Sequence, residues 1–214
     1  MKKLLFIFLV LFLFFSCKKS ETNNPEPPIL ITIGTQKWMK HNLDVVTYRN
    51  GDTIPQVTDA IKWGRLTTGA WCYYNNDAAN GTKYGKLYNW YAVNDSRGLA
   101  PLGWHMPSDA EWTTISTLLG GEVLAGGKLK ELGTLNWQTP NKLATNDVGF
   151  SALPGGVRDG SGIFLSIGND GAWWSATQDK SNFVWVRFLT YSTGNLYRFS
   201  NSMNNGFSVR CLRD

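Results

Sequence analysis

The sequence predicts an α+β domain in which short antiparallel strands dominate and one or two short helices are embedded among extensive loops. Three observations carry that expectation. Aromatic residues are abundant (11 Phe, 10 Trp and 8 Tyr), and 22 glycines punctuate them, a composition that favours strands and turns over a helical bundle. Alternation of apolar and polar residues marks hairpins early and late in the chain. Between them, "LGWHMPSDAEW" (Leu102–Trp112) carries the signature of a helix start.

Taken in order, the first element is outside the fold. Lys2 and Lys3 precede an apolar run from Leu4 to Phe15, too short to span a bilayer and the right length for a signal-peptide core. Ser16 directly before Cys17 resembles a bacterial lipobox, in which the cysteine is diacylated and becomes the new N-terminus. Phe14 and Phe15 depart from that pattern, standing where smaller or aliphatic residues are usual. The expected division is a lipoprotein signal peptide over 1–16, a lipidated Cys17 with a Pro-rich linker over 17–28, and a domain over 29–214. An extended linker at about 3 Å per residue would hold the domain roughly 30 Å from the membrane.

Within the domain, "ILITIGTQKWM" alternates around Gly34-Thr35 and predicts an opening hairpin. Short aromatic segments with Asn-Gly and Gly turn signals follow, as far as Val93. Pro107, Ser108 and Glu111 then form a capping box: the Ser108 hydroxyl accepts from the N–H of Glu111, whose carboxylate accepts from the N–H of Ser108. Asp109 falls at the first helical position, where the helix dipole favours an anion. Trp112, Ile115 and Leu119 give one apolar face, and Gly120-Gly121 ends the helix. Capping accounts for both acids, and His105 before the cap has no defined geometry toward them. A second helical piece, "EVLAGGKLKELG", is expected to be interrupted by Gly126-Gly127. "FVWVRFLTY" turns through "STGN" into "LYRFS" as a long hairpin. The last strand places Phe207, Val209 and Cys211 on one face and Ser208, Arg210 and Leu212 on the other.

Charge and cysteine use narrow the function classes. The formal charge of +5 falls to +3 without residues 1–16, leaving 19 basic and 16 acidic residues. A mild excess with no basic run argues against nucleic acid as a partner. Apart from Cys17 only Cys72 and Cys211 remain. In an oxidising compartment a single disulfide is the natural expectation, with two buried free thiols as the alternative. Structural zinc wants four N or S ligands, and the spacing of His41 and His105 suggests no such site.

"WMKHNLD", "AWCYYNND", "KYGKLYNWYAV", "GWHMPSDAEWTTI", "GFSALPGGVR", "WWSAT" and "GFSVRCLRD" occur in the order seen in the Fibrobacter succinogenes major paralogous domain, and the chain resembles that family over nearly all of its length after the linker. The family is largely made of exported lipoproteins and has no established biochemical activity, so the resemblance implies an address in the cell envelope and no reaction. More loosely, "GWHMPSDAEW" with a terminal "GFSVR" resembles formylglycine-generating and related sulfatase-modifying domains, which implies a C-type-lectin-like fold with a twisted antiparallel sheet. The paired cysteine motif of those enzymes has no match, so no catalytic residue is assigned and the expectation is a non-enzymatic protein, a divergent enzyme of that kind being a minor alternative. The sugar-binding triplets of calcium-dependent lectins are absent as well. "TNDVG", "RDGSG" and "GNDG" are first of all turns, and no calcium or other cofactor is assigned.

The hairpin from Ser181 to Gly206 resembles the ligand-binding variable region of lectin-fold proteins diversified by retroelements. From Thr190 to Gly206, nine of seventeen positions are Tyr, Ser or Asn, the residues that dominate antibody paratopes. Trp185, Arg187, Tyr191, Tyr197, Arg198 and Asn201 are therefore the candidate ligand-binding residues, for an extracellular glycan or protein. The other reading of the same residues is that Asn, Ser and Gly make turns while the aromatics fill a core. The expected whole is an envelope protein held to the membrane, an outer membrane in the first instance, by its N-terminal lipid. The alternative is a structural component of that membrane without a soluble ligand.

Overall fold

A computed structural model describes residues 29–214; the expected signal peptide, Cys17 and the expected linker lie outside the described residues. The expected opening hairpin is β1 (Leu30–Ile33) and β2 (Gln36–Met39), paired from Leu30↔Met39 to Ile33↔Gln36. Its turn needs Gly34, whose φ is +60°. Three short helices then appear that the reading of short aromatic segments and turns does not anticipate: α1 (Ala60–Gly64), α2 (Ala78–Tyr84) and α3 (Trp90–Val93), with β3 (Trp71–Cys72) and β4 (Leu87–Tyr88) between them. Each starts on an Asx side chain. Asp59 accepts from Lys62 N, Asp77 from Ala79 N, and Asn89 from Ala92 N. With at most two turns apiece, they carry no 3.6-residue apolar repeat that periodicity could detect.

Next come β5 (Trp104–His105), α4 (Asp109–Leu118) and α5 (Glu122–Leu129). The predicted capping box is present in full at Ser108 and Glu111, and Trp112, Ile115 and Leu119 are buried. Helix α5 differs from expectation in running straight through Gly126-Gly127. These glycines serve close approach and do not break the helix. A Cβ on Gly126 would stand 2.2 Å from the Asn195 carbonyl oxygen, and one on Gly127 would stand 2.2 Å from that of Leu143. The chain ends with β6 (Val157–Arg158), β7 (Phe164–Leu165), β8 (Asp170–Lys180), β9 (Phe183–Thr190), β10 (Tyr197–Ser202) and β11 (Leu212–Arg213).

A four-stranded sheet in the order β1-β2-β11-β5 joins the two ends of the domain, and a three-stranded sheet in the order β10-β9-β8 holds the late hairpin. The pairs β3-β4 and β6-β7 complete an α+β fold. Two large hydrophobic clusters lie within it, one gathered around Tyr88, Trp174 and Val209, the other around Trp38, Trp112 and Trp137. A smaller cluster holds Trp63, Cys72 and Tyr74. Nine of the ten tryptophans are buried, Trp185 being the exception, so most of the aromatic load fills the core and is not available to a ligand.

The cysteine expectation is corrected. Cys72 and Cys211 are both buried free thiols. Cys72 pairs with Leu87 across β3-β4 inside the small cluster, whereas the Cys211 carbonyl accepts from Met39 N beside the terminal sheet, with its side chain in a large cluster. Cys72 lies in β3 and Cys211 just before β11, which belongs to a different sheet, and the two side chains pack in different clusters.

Buried cations organise the loops. Arg158 is fully buried and donates to the carbonyls of Gly162, Val57 and Thr58 at 2.6–3.1 Å, its guanidinium lying between the Trp63 and Phe164 rings. Lys130 Nζ donates to the carbonyls of Lys142, Thr190 and Thr193 at 2.8–3.1 Å. Arg210 donates to the Phe150 carbonyl and to Asn42 Oδ1. None of these three has a carboxylate within ion-pair distance among the described residues. Backbone carbonyls that would be left without donors inside a loop-rich core are satisfied this way instead.

Candidate binding site

Strand β9 lies between β8 and the edge strand β10, and its register decides which candidate residues can act together. Trp185 faces Ser200 and Arg187 faces Arg198, while Val184, Val186 and Phe188 face Asn201, Phe199 and Tyr197. Successive side chains alternate between faces. The six candidates therefore divide: Trp185, Arg187 and Arg198 share one face, Tyr197 and Asn201 the other, and Tyr191 lies in the turn beyond β9.

The first group is tied to helix α4. Arg187 is only 1% exposed, which removes it from any ligand surface and corrects its assignment as a binding residue. Its Nη2 donates to the Asp109 carbonyl, to Asp109 Oδ1 and to Thr113 Oγ1 at 2.8–3.0 Å. Burial lowers its pKa against the opposing pull of the Asp109 carboxylate. Nε and Nη1 lack hydrogen bonds, although Nη1 lies 3.7 Å from Glu122 Oε1. Arg198 donates from Nε and Nη2 to both Asp109 oxygens at 2.9–3.0 Å, which raises its pKa further, and stacks on Trp185 with its guanidinium 3.3 Å from the ring centre. Asp109 is thus more than a favourable charge at a helix start. Both of its oxygens clamp α4 onto the β9-β10 ribbon, a partnership some 80–90 residues apart that no local pattern announces.

On the opposite face an aromatic ridge emerges. The rings of Tyr197 and Phe199 stack with centres 5.4 Å apart and planes within 11°, and Phe188 meets Phe199 edge-on at 6.0 Å. Phe199 is 46% exposed, and Tyr197 and Phe188 are half-buried. Asn201 continues the ridge, its Oδ1 accepting from Asn205 Nδ2 at 3.2 Å. Sequence reasoning missed Phe199 and Phe188. The signal was present, because period-two reading of "LYRFSNS" groups Tyr197 with Phe199 and Asn201 and sets Arg198 apart. Tyr191 stays half-buried against the second large cluster, with its backbone engaged by Asn169 and Lys142.

His105 corrects a second expectation. Its Nε2 lies 3.0 Å from Glu111 Oε1 and its Nδ1 2.7 Å from Asp214 Oδ1. Glu111 serves both roles, since Oε2 receives the Ser108 cap while Oε1 faces the imidazole. Partial burial pulls the His105 pKa down, but the hydrogen bonds to Asp214 and Glu111 outweigh it and the net shift is upward. With a carboxylate beside each ring nitrogen, His105 links β5, α4 and the chain beyond β11, and it does so most strongly when protonated. Around the expected turns, Asp159 Oδ1 is taken up by Ser161 N, Ser161 Oγ and Ile163 N, and Asn146 Oδ1 by Ser151 N.

The segments that carry the family resemblance converge on the interior. Asn42 of "WMKHNLD" accepts from Trp173 Nε1 of "WWSAT" at 2.9 Å and from Arg210 of "GFSVRCLRD", while its Nδ2 donates to the Tyr84 carbonyl of "KYGKLYNWYAV". Trp174 Nε1 reaches the Tyr88 carbonyl, linking "WWSAT" to that last segment again. No curated protein and no solved structure matches the chain. Residues 31–213 match the Fibrobacter succinogenes major domain, and the chain belongs to that family.

Proposed function

We propose that this chain is a non-enzymatic binding module of the cell envelope, tethered by lipid at Cys17, whose late hairpin grips an extracellular glycan. One observation carries the reading: the Tyr197–Phe199 stack stands half-exposed at a sheet edge, continued by Asn201. The stacked pair leaves the outward-facing part of the Phe199 ring, 46% exposed, as an apolar surface of the kind that lies against the apolar face of a sugar ring, and the adjacent amide supplies directional hydrogen bonds. The C-type-lectin-like architecture belongs to the same proposal. It is supported by antiparallel sheets joined through a long irregular region, 131–156, that has neither helix nor extended strand. Outer-membrane residence rests on the N-terminal sequence alone.

A glycan array probed with residues 22–214, with and without calcium, tests the binding reading. That segment contains all three hydrophobic clusters, so it carries its own core. Selective binding is expected, weakened at least about tenfold when Tyr197→Ala and Phe199→Ala are combined and little changed by Trp185→Ala. A blank array, with membrane proteins recovered stoichiometrically from envelope extracts, would favour a structural component instead. Globomycin-sensitive processing and loss of membrane association in Cys17→Ala would test the tether.

A further inference from the structure

Away from the ridge, a cleft of about 300 Å³ opens between the 67–69 loop and the segment that follows α3. Thr67 and Thr68 form one wall, and Asn94, Ser96 and Arg97 form the other, with Tyr91 between them. Its volume sits at the small end of the range for small-molecule sites, roughly 300–1,000 Å³, with room for one ring-sized polar unit and not for several.

The walls are held before any ligand arrives. Asn89 is fully buried; its Oδ1 accepts from Ala70 N and Ala92 N at 2.9 and 3.1 Å, and its Nδ2 donates to the Thr68 carbonyl at 2.8 Å. Asn204 donates to the carbonyls of Gly64 and Leu66 and accepts from Tyr91 Oη at 3.2 Å. Two asparagine side chains therefore pin the loop to α3 and fix the tyrosine. Gly69 is packed so closely that a Cβ would fall 1.9 Å from Tyr48 Oη. That hydroxyl is buried without a hydrogen bond, and the Tyr48 ring carries the Arg97 guanidinium 4.1 Å above it.

The chemistry of the walls selects the ligand. Thr67, Thr68, Asn94 and Ser96 are exposed, so hydroxyls and an amide present both donors and acceptors. Arg97 donates to both oxygens of Asp95 at 2.8–2.9 Å and to Asp52 at 3.1 Å. Its hydrogen bonds lower the Asp95 carboxyl to about 2. Two carboxylates about one guanidinium leave one net negative charge, which disfavours anions. Alternating donors and acceptors beside a half-buried ring are the complement of a polyhydroxylated ring with one apolar face.

We propose that this cleft binds a single unit of a neutral saccharide, with Tyr91 against the apolar face of the sugar and Thr68, Asn94 and Asp95 on its hydroxyls. The site is built from elements other than the β9-β10 ribbon and stands whether or not the ridge binds glycan. The test is titration of ¹⁵N-labelled residues 22–214 with glucose, galactose and N-acetylglucosamine, and separately with glucuronic acid, followed by amide shifts. At least one neutral sugar should shift the amides of Thr67–Gly69 and Asn94–Arg97 saturably, with Kd in the roughly millimolar range. Tyr91→Leu and the near-isosteric Thr68→Val should each weaken that binding several-fold, and Tyr91→Phe should retain it. Absence of cleft shifts with all three neutral sugars would overturn the proposal, as would equal or tighter binding of glucuronic acid. Shifts confined to Tyr197–Asn201 would overturn it too, while supporting the ridge; cleft shifts that persist in the Tyr197→Ala, Phe199→Ala variant would support the cleft alone.

Discussion

Lys130 illustrates what a single residue does in this fold. Its ammonium is fully buried and spends its three protons on three carbonyls from two loops, and burial lowers its pKa to about 8. The unfolded value is about 10.4. Between these values the folded chain holds fewer protons than the unfolded one, so this residue's contribution to stability rises with pH there, by up to about 3 kcal/mol. The buried thiols work in the opposite direction, because burial raises the pKa of Cys72 to about 12 and that of Cys211 higher still. The comparison that isolates the lysine is Lys130→Met against wild type in urea melts at pH 7.5 and 10. The variant should be less stable at both, since three carbonyls lose their donor, and the gap should widen at the higher pH. A constant gap would mean that the ammonium does not titrate in this range. Nothing in "GGKLKELG" distinguishes Lys130 from Lys128, because its partners lie 12 to 63 residues away.

Two effects of opposite sign meet in helix α5. Alanine is the better helix former by roughly 1 kcal/mol, yet Gly126 faces a carbonyl that a methyl group would approach to 2.2 Å. Backbone against backbone cannot give way cheaply, so Gly126→Ala should be destabilising, by about 1–3 kcal/mol in a denaturant melt; a neutral result would mean that the 195 turn is free to move. The His105 tie belongs to the same scale. Its own pKa is raised, so its contribution is complete below about 6.5 and fades as pH rises through the folded value. Burial would raise Glu111, but the Ser108 hydrogen bonds and then His105 prevail and lower it, so its share fades only as pH falls below about 4.3. His105→Gln should therefore lose stability mainly between those values. The loss should be under about 1 kcal/mol because the pair is partly solvated, and ring-proton titration by NMR would check the raised pKa directly. At this scale the sequence was readable wherever a pattern is local. The opening hairpin, the capping box, the α4 face and the β9-β10 pairing all follow from adjacent residues. The three Asx-capped helices escaped because they are too short to repeat, and α5 was misread because glycine can signal tight packing as well as a break.

Across the whole molecule, the residues that carry the resemblance are largely scaffold. Asn42, Trp173 and Arg210 meet, Trp174 reaches Tyr88 and Arg158 reaches Val57 and Thr58, each joining segments far apart in the chain. Family membership therefore reveals the architecture, and the proposed ridge lies largely outside those segments, whereas the proposed cleft borrows Tyr91 from one of them. The candidate site was half legible for that reason. Tyr197 and Asn201 do share a face, while Arg187 and Arg198 stand on the other; a list of residue types carries no face until the register is known. The cysteines were misassigned by a compartment argument that knows nothing of distance. Because both thiols are buried and free, reductant should leave the melting temperature of residues 22–214 unchanged. Thiol reagents should modify both cysteines only after denaturation. A reductant-dependent drop would restore the disulfide.

The sheet β1-β2-β11-β5 has a consequence for how the domain could be handled. Ile31 and Leu212 both face Trp38, one from each side, so the chain enters and leaves the fold across three adjacent strands, roughly 10 Å apart. Such a domain is a cassette: spliced as residues 29–214 into a surface turn of an unrelated host, it should fold in place and leave the host's own ends undisturbed.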